Sequence, residues 1–294
     1  MGKLARGAGR RLRTWVQVGF TALSNGYVYG FAHGSIYKGP LKQFCLPGLN
    51  CYSCPGALGA CPIGSLQAVL GAREYRFAFY AVGVLLFFGA LLGRLVCGWL
   101  CPFGLVQDLL YKIPFVRKLK KLPGDRWLKQ LKYVVLGGFV ILLPLTVLDI
   151  VGQGQPWFCK AICPSGTLFA GIPLVGSNAA LRGGLGWLFG WKIAVLAALL
   201  LLSIVVYRPF CRYLCPLGAV YGVLNPVALT RLCVDESRCT SCGACRKACP
   251  MDIPVYQTPN SPDCIRCGKC LHACPTGAVA RACFRARDKA RGGI

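Results

Sequence analysis

The chain has 294 residues, of which 55% are hydrophobic and only 15% charged, and its mean hydropathy of +0.53 excludes an ordinary soluble domain as the whole of it. Its 34 Lys and Arg against 9 Asp and Glu give a formal charge of +25, yet no DNA-reading motif or aromatic–basic platform accompanies that charge, which argues against a nucleic-acid binder. Its 20 cysteines fall in tight, repeated spacings and point to metal chemistry.

A basic tail, residues 1–14, precedes the first of four apolar stretches, at 15–32, 77–96, 133–151 and 185–207. Each is long enough to cross a hydrocarbon core about 30 Å thick. The first is interrupted by Gln17, Thr21, Ser24 and Asn25, so an interfacial helix is the alternative for it. Basic residues crowd before the first stretch and between the second and third (Lys112, Arg117, Lys118, Lys120, Lys121, Arg126, Lys129, Lys132). By the positive-inside rule both termini and that middle loop are cytoplasmic, and the loops holding Cys45–Cys61 and Cys159–Cys163 face outward. The expectation is a mainly α protein: a four-helix transmembrane bundle over 15–230, multi-pass in the inner membrane of a prokaryote, followed by a small α+β domain over 231–294.

Each apolar stretch is followed by C-P-x-G, at Cys61, Cys101, Cys163 and Cys215, and in the last three another Cys stands four residues earlier, at Cys97, Cys159 and Cys211. Proline lacks an N–H and starts a helix, while glycine lets the backbone close around whatever the thiols hold. If the spans alternate in direction, Cys97, Cys101, Cys211 and Cys215 meet at the cytoplasmic edge, supplying the four thiolates of a [4Fe–4S] cube. The outer edge carries Cys45, Cys51, Cys54, Cys61, Cys159 and Cys163. There the expected set is Cys159 and Cys163 with two of Cys51, Cys54 and Cys61, and disulfides among Cys45, Cys51 and Cys54 are the alternative in an oxidising compartment.

The stretch 239–275 contains C-x2-C-x2-C-x3-C-P twice. Three thiolates on one loop grip three corners of a cube and the fourth Cys of each run ligates the other cluster. Cys239, Cys242, Cys245 and Cys274 are therefore expected to hold one [4Fe–4S] cluster, and Cys264, Cys267, Cys270 and Cys249 the other. Gly243, Gly268 and Gly277 fit the tight turns such loops need. Cys233 and Cys283 match no ligand spacing and read as ordinary buried thiols. This segment resembles the bacterial two-cluster ferredoxins.

Four spans, the motifs CGWLCPFG and CRYLCPLG, and a cytoplasmic two-cluster segment together resemble the NapH-type membrane iron–sulfur proteins, quinol dehydrogenase subunits of periplasmic nitrate reduction. The resemblance implies electron transfer between the quinone pool and partner redox proteins, iron–sulfur or cytochrome, within a larger complex. It leaves the terminal substrate, the direction of flow and the outer ligand set open. Quinol oxidation needs proton acceptors near the bilayer edge, and His33, Glu74 and Asp149 are the ionisable candidates, with helix capping the alternative for Asp149. Arg94 and Lys192 read as side chains that snorkel to an interface. With only His33 and His272 in the chain, a bis-histidine haem has no ligands, and no G-x-G-x-x-G follows a strand. From Arg231 onward eleven Lys and Arg face five acids, which suits an acidic partner or anionic headgroups as well as plain topology. Two other classes of function compete with this reading. One is an accessory ferredoxin reducing a metal or disulfide while another enzyme is assembled, and the other is an anchor with structural thiols.

Overall fold

The computed structural model describes residues 3–72, 75–114, 117–150 and 152–282, so Glu74 and Cys283 lie outside the described residues. It is mainly helical. Helices Lys3–Ser24, Tyr75–Leu92, Asp125–Thr146 and Trp187–Val205 are the long elements, and short helices linked by C-P turns pack between them. Two of the four, Asp125–Thr146 and Trp187–Val205, are long and apolar enough to cross a membrane. Only 22% and 17% of their apolar windows are buried, whereas the core helix of a soluble protein would be covered.

The first apolar stretch does not form one helix. The chain breaks between Ser24 and Val28, where Tyr27 N–H is taken by Gly56 O and Leu58 N–H by Ser24 O, and a second short helix, Val28–His33, ends on Gly34 at φ +61°. The polar residues that interrupted the pattern explain the break and the packing. Arg13, Gln17 and Ser24 are buried on one face while Trp15 and Leu23 are 72% and 75% exposed, the reverse of a water-soluble amphipathic helix.

Three C-x3-C-P motifs fold alike. Helices Leu95–Trp99, Trp157–Ala161 and Pro209–Tyr213 each carry the first Cys and run into a second helix whose first residue is the proline (Pro102, Pro164, Pro216). The second Cys is extended at the junction, and its N–H returns to the carbonyl of the residue before the first Cys: Cys101 to Val96, Cys163 to Phe158, Cys215 to Phe210, at 2.9–3.1 Å. Both thiols therefore project from one closed turn. Pro at the first helical position costs nothing, because that N–H would be unpaired anyway.

Beyond the last of these motifs, β1 (Arg231–Val234) pairs antiparallel with β2 (Val279–Ala282) in the register Arg231↔Ala282 and Val234↔Val279. Between them lie helices Ala244–Ala248 and Lys269–Ala273, packed on each other. Gly243 and Gly268 cap these helices at φ +71° and +78°, and Gly277 sits at +66°, the left-handed turns expected of those positions. One continuous core carries cysteines of all four thiol clusters, from Cys61 and Cys163 through Cys97, Cys101, Cys211 and Cys215 to Cys245, Cys249, Cys264 and Cys270.

Candidate iron–sulfur centres

All 19 described cysteines are unbridged, those of the outer loop included. Sixteen of them gather into four groups of four, leaving Cys45, Cys54 and Cys233. Within the C-terminal segment, Cys239, Cys242, Cys245 and Cys274 line a small cavity, and Cys249, Cys264, Cys267 and Cys270 line a second. These are the two crossed sets expected from the spacing. Burial pushes Cys264 up to about 11 and Cys270 up to about 12, so holding them as thiolates calls for strong positive charge in the cavity, which iron supplies.

The inner group is Cys97, Cys101, Cys211 and Cys215, all buried, on two motifs that contact each other. A reciprocal clamp holds it. Arg94, three residues before Cys97, donates to Cys211 O at 2.7 Å, and Arg208, three residues before Cys211, donates to Cys97 O. The C-P-x-G glycines make this possible: a Cβ at Gly104 would meet Cys97 O and Arg208 at 3.1 Å, and one at Gly218 would meet Cys211 O and Arg94 at 3.0 Å. Arg94 is therefore a fully buried structural cation, not the snorkelling side chain that its place at a span end suggests. Asp108 neutralises Arg208 through two bonds of 2.7 and 2.6 Å and also pairs with Arg13. Although burial alone would raise the Asp108 carboxyl, Arg208 and Arg13 hold it below the usual carboxylate range.

Five outer thiols, Cys45, Cys51, Cys61, Cys159 and Cys163, line one cavity. A Cβ added at Gly64 would lie 3.8 Å from Cys61 Cβ and 3.9 Å from Cys159 Sγ. A Cβ added at Gly166 would lie 3.6 Å from Cys51 Sγ and 3.9 Å from Cys163 Sγ. Cys54 instead directs its thiol to Asn25 Oδ1 at 3.6 Å, and Cys45 to Ser65 Oγ at 3.4 Å. Cys233 stands half-buried on β1. A cavity of about 1180 Å³ opens beside the outer thiols, walled by Phe44, Leu49, Tyr80, Phe158 and Leu174, with Lys42 and Lys192 its cations. Of the proton-acceptor candidates, His33 is exposed and stacked on Tyr29 at 4.0 Å, and Asp149 caps its own turn through Ile150 N–H and Gln155. Neither lines the cavity.

The four groups are adjacent. The loop 44–61 dips inward, so that Leu49 lies between Ser165, which donates to its carbonyl at 3.3 Å, and the Cys101 thiol, which its amide faces. Tyr221, fully buried, donates to Pro47 O at 3.0 Å, and a Cβ on Gly48 would stand 3.4 Å from Cys101 Cα, so the outer loop packs on the inner motif. Spacing alone puts the outer and inner groups at opposite bilayer edges; the inward loop brings them side by side. On the other face Trp99 Nε1 donates to Arg266 O at 3.2 Å, Arg94 to Pro262 O at 2.9 Å, and Asn225 to Cys264 O at 3.1 Å. These bonds seat the Cys264–Cys270 loop directly on the inner motif. Asp263 completes the seat, with Lys132, Lys129 and Arg94 at 2.7, 3.2 and 3.4 Å.

Sequence reasoning missed two residues that touch these groups. Gln67 and Gln107 each donate to a cysteine sulfur, Cys159 at 3.4 Å and Cys211 at 3.2 Å. The signal was present, because C-P-x-G-x-x-Q occurs at both Cys61 and Cys101.

No three His, Cys, Asp or Glu side chains form a single-ion site among the described residues. A cube spreads its four ligands over alternate corners, and the groups of four unbridged thiols fit that larger body. Folded around such groups, the chain is an iron–sulfur protein of the ferredoxin type. A family model described as a 4Fe-4S binding domain matches residues 75–123, 132–177 and 185–231, one C-x3-C-P motif in each, and a second model of that description matches 232–255 and 259–280. The ferredoxin-type protein NapH of Haemophilus influenzae is 28% identical over 194 residues, covering 65% of this chain and 60% of its own. The methylamine utilization ferredoxin-type protein MauN of Methylorubrum extorquens is 31% identical over 194 residues, 65% and 55% of the two chains. An uncharacterized protein of Methanocaldococcus jannaschii is 30% identical over 171 residues, 56% and 54%. The chain belongs to this NapH-like polyferredoxin family. It spans little more than half the length of the curated relatives it matches. No solved structure matches.

Proposed function

We propose that the chain is a membrane-integral electron-transfer subunit that links the quinone pool to partner redox proteins through four [4Fe–4S] sites in line. Iron–sulfur electron transfer is the activity its domains and relatives share; the order of sites comes from the packing. Each bound cube stores and passes single electrons. The order runs from Cys51, Cys61, Cys159 and Cys163, past Leu49 and Tyr221, to Cys97, Cys101, Cys211 and Cys215. It continues across the Trp99–Arg266 contact to Cys249, Cys264, Cys267 and Cys270, and ends at Cys239, Cys242, Cys245 and Cys274, where Cys242 is exposed. The contact of the ferredoxin-like segment, through its residues 262–266, with the inner motif is the observation that carries this reading.

Membrane integration is supported by the inverted surface: Trp15, Leu23, Phe79, Phe87, Trp187 and Leu201 lie outside while Arg94, Arg208, Lys132, Gln67 and Gln107 lie inside. In this reading four segments cross the bilayer of a prokaryote, the tail 1–14 and the C-terminal segment are cytoplasmic, and the large cavity beside the outer thiols admits the quinone ring. Its apolar walls suit the ring, and Lys42, buried with Nζ on Ala57 O at 2.8 Å, offers charge to a quinone oxygen.

Anaerobically purified protein in lipid nanodiscs tests the quinone link. A short-chain naphthoquinol should bleach the cluster absorbance, and Cys159→Ser with Cys163→Ser should stop it. Bleaching that is equally fast without those thiols would remove the outer site from the pathway.

A further inference from the structure

Gln67 stands six residues after Cys61 and Gln107 six residues after Cys101, and both are 0% exposed. Each reaches across to the first cysteine of the facing motif. The carboxamide orientation is fixed at both places in the same way: Oε1 accepts the amide of the residue before that cysteine, Phe158 N–H at 3.0 Å for Gln67 and Phe210 N–H at 3.3 Å for Gln107. The amide nitrogen is left to donate to sulfur, at 3.4 Å to Cys159 and 3.2 Å to Cys211, and to its own helix, at Ile63 O and Phe103 O. The equivalent positions after Cys163 and Cys215 hold Phe169 and Tyr221, so the outer and the inner group each receive one such contact, at the first cysteine of a C-x3-C-P motif.

Filling space does not require this chemistry, since a methionine has nearly the same volume without an N–H. A hydrogen bond to a ligating sulfur favours the reduced, more negative cluster and raises its potential. Because the contact is duplicated, it raises both sites together and keeps the step between them small.

We propose that Gln67 and Gln107 are positioning residues that set and level the reduction potentials of the outer and inner sites through matched N–H···S bonds. The proposal rests on the reading of those thiols as cluster ligands. Gln107→Met and Gln67→Met in the full chain, with iron and sulfide counted before an EPR-monitored redox titration, test it. Each variant should keep its iron and show one signal, a different one in each, whose reduced-to-oxidised ratio at fixed ambient potential falls about tenfold, equal to about 59 mV for one electron.

Gln107→Leu and Gln67→Leu likewise remove the N–H without adding charge, and a shift in the same direction with iron retained supports the proposal even where the methionine variants lose iron. Full iron with unmoved potentials overturns it, and so does loss of iron in all four variants, which would make the glutamines assembly residues. Parent protein holding only the irons of the two ferredoxin-like sites would sink the ligand reading itself, a separate outcome.

Discussion

Gly98 lies inside helix Leu95–Trp99, where alanine would ordinarily stabilise by about 1 kcal/mol. Here a Cβ would stand 2.3 Å from Ile265 O, inside the 3.0 Å below which Cβ contacts essentially never occur. The carbonyl has little room to retreat, because its neighbours are tied down: Cys264 O by Asn225 and Arg266 O by Trp99. Overpacking against backbone costs about 3 kcal/mol, at the upper end of its usual range, so Gly98→Ala should weaken the seating of the C-terminal segment by about 2 kcal/mol. That corresponds to roughly a thirtyfold rise in the unseated population. Native-state hydrogen exchange of the 261–266 amides reads it directly, and those amides should exchange correspondingly faster while helix Trp187–Val205 is unchanged. Equal or slower exchange in Gly98→Ala would refute the close contact on which the order of sites depends.

Asp263 supplies a pH test. Burial alone would raise its carboxyl, but Arg94, Lys132 and Lys129 outweigh burial and hold it far below the usual carboxylate range. Its contribution is therefore complete above the ordinary Asp value near ~4 and is lost progressively as pH falls below it. Seating measured by the same exchange should weaken below about pH 4 in the parent, and Asp263→Asn should weaken it at neutral pH and flatten the dependence. The outer ligand set is checked by single serine variants: Cys51→Ser should lose about four irons and Cys54→Ser none, read by iron analysis of anaerobic protein. For the inner set, Cys101→Ser with Cys215→Ser should remove about four irons and stop electron transfer while the signals of the two C-terminal clusters persist in EPR.

The grouping of the C-terminal thiols was legible because it is local. Three of the four thiols lie within seven residues, and the crossing of Cys249 and Cys274 follows from the repeat. The inner group was legible for a similar reason: each C-x3-C pair closes its own turn, and only the meeting of two turns had to be inferred. The outer group was not. Cys51 sits on a long loop whose course is set by tertiary bonds, Lys42 to Ala57 O and Ser165 to Leu49 O, and no spacing encodes these. The same inward loop brings the outer and inner groups together where alternating spans suggested a bilayer between them. Arg94 read as a snorkelling side chain because it ends an apolar run. The repeat R-x-x-C-x-x-x-C-P, at Arg94 and again at Arg208, carried the better reading, since two matched arginines imply a two-fold clamp. The polar residues in 15–32 marked a real break, and they face the thiol-bearing core: Gln17 donates to Cys101 O at 2.9 Å.

Total iron and acid-labile sulfide per chain, on protein purified and kept anaerobic, bears most directly on the presence of cluster sites in both the C-terminal segment and the apolar core. Four sites in line predict about sixteen irons, with four EPR-active centres on stepwise reduction. A chain that binds about eight and shows only two centres would leave the C-x3-C-P thiols as structural groups and contradict the account.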